Sequence, residues 1–178
     1  MKKLESTLLL ILFSVIATFG GEQPAPVQAS HEDIEKIKTD VWQPFMESYR
    51  DLDITKFKSI HDENLLRVTI NENRIERGSE YFDNVERFLG FVKANNKSID
   101  ISFAILSTAI KGDDGYQTGY YRLRSINAEG EYVVRNYGLF NVALKKVDGV
   151  WKLTMDSDKS VQLSDDEYSN VKIQYALF

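Results

Sequence analysis

Apolar residues at Ile34, Ile37, Val41, Phe45 and Tyr49 recur at spacings of three and four, which places them on one face of a helix. Trp42 and Met46 widen that stripe, and Ser30 with Asp33 three residues on forms a weakened capping box at its start. Pro44 is expected to kink this helix near its third turn. Asp53 can cap a short second helix through Ile54, Phe57 and Ile60. Leu65 to Ile70 has the β-branched content of a strand, and NENRIERG reads as a polar loop. A third helix starts at Gly78-Ser79 and presents Phe82, Val85, Leu89 and Val92 at helical spacing.

From Ser98 the period changes to two. Ile99, Ile101, Phe103 and Ile105 alternate with Asp100, Ser102 and Ala104, the mark of a strand with one buried face. Gly119 to Ile126 and Tyr132 to Lys146 form two more strands, and a hairpin through Asp148-Gly149 supplies the last. Counting outward from that turn, Leu144 opposes Leu153 and Val142 opposes Met155 on an apolar face shared with Phe140 and Trp151. Asp156 then opposes Asn141, in line with Lys145, Lys152 and Thr154, and points away from the helices. A bulge would exchange the two faces. Helices followed by a meandering antiparallel sheet make an α+β order, with three N-terminal helices packed on one face of a curved sheet to enclose a cavity.

The first residues do not fit this pattern. Lys2 and Lys3 precede the apolar run LLLILFSVIATF (Leu8 to Phe19), and small residues follow, as in a secretory signal. Cleavage after Gly20 or after Ala29 fits equally, so residues 1–29 are expected to be signal and leader and the domain to be exported, periplasmic or secreted. No stable membrane insertion is expected after cleavage, because the run is short for a bilayer span. The folded domain is expected over 30–160, followed by an acidic tail over 161–178. Across 178 residues there is no cysteine, which removes disulfides, thiol nucleophiles and thiolate metal sites together. A net charge of −5 gives no general attraction to nucleic acid or anionic lipid.

IHDENLLRVTINENRIERGSEYFDNV resembles a stretch of the NTF2-like superfamily, in particular its SnoaL-like and DUF4440 branches, where an "I-x-G-[RS]-E" segment opens the third helix. TGYYRLR followed by NYGLFNVALKKVDGVWKLTMDSDKS is similar to the DUF4440 patterns "TGTYTL" and "DKGKYVVVWKKxDGxWKIxxDxWNS". The resemblance covers about Glu32 to Ser160 and implies a cone-shaped domain that pairs as a homodimer through the outer sheet face. It departs from the pattern at Asn136-Tyr137-Gly138-Leu139 and at Asp156-Ser157-Asp158-Lys159. The superfamily holds isomerases, cyclases, dehydratases, ligand binders and association modules, so the resemblance implies a choice of activities and no single one. The carboxylate dyad of ketosteroid isomerase, which shares this fold, is absent from Arg67-Val68-Thr69 and Gly138-Leu139-Phe140.

The expected ligand-binding residues are Trp42, Phe45, Tyr49, Arg67, Tyr121 and Asn136, facing a small, mostly apolar molecule. Phe140 belongs to the same aromatic set, and an inward arginine such as Arg67 could grip a ligand carboxylate. Close packing of these rings on one another would leave nothing to bind. His31 reads as part of a solvated helix start, and His61 as an imidazolium at a helix C-terminus. No ligand spacing suggests a metal, and no cofactor is expected. The alternative is a SnoaL-like enzyme doing acid and base chemistry, which needs an inward carboxylate or His beside a polar donor. No catalytic residue is identified from the sequence.

Overall fold

The computed structural model describes residues 29–127 and 129–178. The expected leader lies outside the described residues, apart from Ala29, which packs against the core. The elements are α1 (His31–Ile37), a π-helical turn (Lys38–Trp42), α2 (Gln43–Arg50), α3 (Ile54–Ser59), β1 (His61–Thr69), β2 (Arg74–Arg77), α4 (Gly78–Ala94), β3 (Ser98–Lys111), β4 (Asp114–Ile126), β5 (Tyr132–Val147), β6 (Val150–Val161), α5 (Asp165–Ser169) and β7 (Tyr175–Leu177). They form an α+β fold around one curved, mainly antiparallel sheet of order β2-β1-β6-β5-β4-β3-β7, in which only β1 and β6 run parallel.

The helices depart from three simple rods ahead of a sheet. Only α4 is long and regular, and it follows the β1–β2 hairpin, whose second strand arises inside the segment expected to be a polar loop. Ser30 caps α1 by accepting from the Asp33 amide at 3.0 Å. Where a proline kink was expected, the chain widens into the π turn just before Pro44. Such a turn relieves the clash of the ring with the preceding carbonyl and needs no amide hydrogen from proline. Gly78 opens α4 because its α-carbon lies against the backbone of β1. A side chain there would meet the Glu63 carbonyl oxygen at 1.8 Å.

The long strands carry one extra residue each at Leu106, Arg135 and Thr154, where the pairing register shifts by one. Bulges bend and twist strands, and the sheet wraps around α1, the π turn and α2. Ile37, Val41, Trp42, Phe57, Leu65, Trp151 and Leu153 are fully enclosed between the layers. The segment beyond Val161 also packs on the sheet. Ser164 caps α5 with a complete capping box, and Tyr168 of α5 packs on Ala104 and Tyr137 of the outer sheet face. β7 then pairs with β3 at Phe103 to Ile105.

Candidate functional site

A cavity of about 120 Å³ opens between the helices and the concave face of the sheet. One wall is aromatic. Trp42 and Phe45 from the helical layer meet Phe103 of β3 at ring-centroid distances of 4.6 and 5.2 Å, and Phe140 of β5 lies 5.3 Å from Trp42. The rings pack on one another, yet the space beside them stays open. Trp42 is fixed by its Nε1–H, which donates to Gln117 Oε1 at 2.7 Å. The Gln117 amide donates in turn to Thr108 and to the Tyr175 hydroxyl. A fully buried amide with its partners in place locks the wall and couples it to β7.

The other end is charged. Asp156 and Asp158 of β6 are 8% and 7% exposed and both face the cavity. Arg67 of β1 spans them, with Nη1 3.1 Å from Asp156 Oδ1 and Nη2 2.6 Å from Asp158 Oδ1. The parallel pairing sets this up, since Arg67 lies directly across from Asp156 and Thr69 from Asp158. Tyr121 donates to Asp158 Oδ2 at 2.8 Å, and Tyr81 of α4 to Asp156 Oδ2 at 3.3 Å. Tyr121 has room because its cross-strand neighbour is Gly138, where a β-carbon would fall 2.1 Å from the Tyr121 ring.

The electrostatics follow from enclosure. Burial lifts the Asp158 carboxyl above the ordinary carboxylate range, and the Arg67 charge offsets this only in part. Burial also opposes the Arg67 charge, but Asp156, Tyr81 and Asp158 outweigh it and hold the guanidinium firmly protonated. The hydroxyls of Tyr49, Tyr81 and Tyr121 are pushed upward, by burial first and then mainly by the carboxylates, so they stay protonated.

Trp42, Phe45, Tyr49, Arg67 and Tyr121 therefore line one cavity. Asn136 stands behind it, donating to the Tyr121 hydroxyl at 3.3 Å. Arg67 is not poised to grip a ligand carboxylate, because both of its terminal nitrogens are held by protein carboxylates. Asp156 points inward, contrary to the two-residue count from the turn. Leu144 does oppose Leu153, but Thr154 bulges out, so Ala143 pairs with Met155 and Val142 with Asp156. Sequence reasoning missed Asp156, Asp158 and Tyr81. The signal for the acids was their own spacing of two, which puts both on one face whichever face that is.

His61 is also not the imidazolium expected. It is buried among Phe45, Phe57, Tyr81 and Phe82, and burial holds its pKa down to about 4. Nδ1 lies 2.7 Å from the Phe57 carbonyl oxygen, so a neutral ring donates there. Among the described residues no group of three or more His, Asp and Glu side chains could hold a metal ion.

A few helices on a curved, mainly antiparallel sheet in this arrangement make the fold of NTF2-like proteins. No family profile matches the sequence, and no curated protein matches it. Solved structures do. Aln2 from a Streptomyces species superposes with a TM-score of 0.64 at 13% identity, over 75% of this chain and 93% of that one. An NTF2-like family protein of Streptomyces avermitilis, provisionally described as a dehydratase, gives 0.59 at 15% identity over 74% and 98%. An NTF2-like protein with a cystatin-like fold from Novosphingobium aromaticivorans gives 0.58 at 9% identity over 80% and 90%. At such identities the likeness is one of fold.

Proposed function

We propose that this chain is an exported NTF2-like domain of SnoaL-like or DUF4440 type that binds a small, mostly apolar molecule in its cone. The observation that carries this reading is the open space between the aromatic wall and the buried Asp156–Arg67–Asp158 cluster. Its volume of about 120 Å³ suits a single ring, since cavities near 150 Å³ take up benzene. Native mass spectrometry of gently purified protein, with thermal-shift screening of single-ring compounds, tests it. A bound small molecule or a raised melting temperature is expected. A protein that is empty and indifferent to every such compound refutes it.

A second reading, acid and base catalysis of the isomerase, cyclase or dehydratase kind, is favoured by one feature. Asp158 is a buried carboxyl with a raised pKa, hydrogen-bonded to the Tyr121 phenol at the pocket wall. In that case Asp158→Asn should abolish turnover of a bound substrate while leaving its affinity measurable.

Pairing through the outer sheet face and export stay part of the proposal. The pairing surface would be the stretch around Tyr116, Asn141 and Met155, because α5 covers the end near Ala104 and Tyr137. Analytical ultracentrifugation of the mature chain, and recovery of the expressed protein outside the cytoplasm, test these two parts.

A further inference from the structure

We propose that the cavity selects a small protonated amine on a compact apolar body, and discriminates against carboxylates; this rests on the pocket reading above. Tyr81 and Tyr121 each have a single O–H, and each spends it on an aspartate of the cluster. Both terminal nitrogens of Arg67 face the same two aspartates. Apart from the Tyr49 O–H and the remaining guanidinium N–H groups, this end of the pocket offers a ligand mainly oxygen lone pairs, so a ligand that brings donors is favoured.

Charge points the same way. Two carboxyl groups share one guanidinium, which leaves the cluster short of positive charge once both are ionised. Among the described contacts no second cation reaches Asp156 or Asp158. A ligand ammonium supplies that charge and can donate to carboxylate and phenol oxygens together. The rings of Trp42, Phe45, Phe103 and Phe140 line the rest of the wall, and a cation seated over a ring face is favoured over a neutral group of the same shape. An anion would meet two acids, with both terminal nitrogens of the one nearby arginine already facing them.

Isothermal titration calorimetry at neutral pH with benzylamine, benzyl alcohol and benzoate, three compounds of one shape and three charge states, tests the selection. Benzylamine is expected to bind at least about tenfold more tightly than either of the others, and Asp158→Asn to lose that preference. The wild-type panel alone decides the matter if Asp158→Asn does not fold. Equal binding of benzyl alcohol, or tighter binding of benzoate, overturns the ammonium preference and leaves the pocket reading standing. No binding of any of the three overturns the pocket reading for single-ring ligands, and this inference with it.

Discussion

His61 should make this domain acid-sensitive in a pH range where few other groups contribute. Folded, its ring stays neutral down to about pH 4, because burial among aromatic rings opposes the charge; unfolded, it takes up a proton near 6.5. At pH 7.5 neither state is protonated and the group contributes nothing. As pH falls through 6.5 the unfolded chain gains a proton that the folded one refuses, so stability is lost. Linkage puts the loss at about 2 kcal/mol between pH 7.5 and pH 5, and at about 3 kcal/mol once pH 4 is passed. His61→Asn keeps a short donor for the Phe57 carbonyl and removes the titration. Urea unfolding of both proteins across this range is the assay. The variant should be weaker at pH 7.5, but its deficit should shrink by about 2 kcal/mol by pH 5. The difference between proteins is the quantity to follow, because Asp158, whose pKa is raised, gives a slope of opposite sign. A deficit constant with pH, or a His61 ring that titrates near 6.5 by NMR, would refute the reasoning.

Three further perturbations probe the site. Gly138→Ala drives a methyl group into the Tyr121 ring; it should cost about 1–3 kcal/mol by overpacking and weaken ligand binding, and unchanged thermal and binding curves would count against it. Arg67→Met strands two buried carboxylates and should cost about 3–5 kcal/mol near neutral pH, read by urea unfolding, and a loss below about 1 kcal/mol would count against the cluster as drawn. Trp42→Phe removes the donor to Gln117 Oε1 and leaves a buried acceptor unpaired, which should cost about 1–3 kcal/mol in the same assay, whereas a neutral effect would mean that water takes the place of the indole N–H.

Periodicity and turn chemistry carried most of the architecture. The α1–α2 stripe, the α4 stripe and the alternation in β3 each report a buried face through spacing alone, and the structure buries Ile37, Val41, Phe45, Val85, Leu89 and Phe103 accordingly. The pocket was legible only in its aromatic half, because rings on a buried face announce themselves. Its charged half depended on two things that alternation does not encode. One is the parallel pairing of β1 with β6, which brings Arg67 to Asp156 across a separation of 89 residues. The other is the bulge at Thr154, without which Met155 would oppose Val142 and the acids would face out. An extra residue in a strand leaves no local signature when it is an ordinary threonine. β2 was hidden for a related reason, since four polar-flanked residues on a sheet edge look like loop.

The tie from Trp42 through Gln117 to Tyr175 has a practical side. Tyr175 opens the short edge strand β7, which pairs with β3 at the sheet edge. Proteolytic loss of β7, or an affinity tag that pulls β7 off β3, would take the phenol away from an amide that holds the pocket wall in place. A preparation clipped by so little would look intact on a gel and still fail to bind. Intact mass should therefore be checked before any ligand screen is read as negative, and a purification tag belongs at the other end of the folded domain.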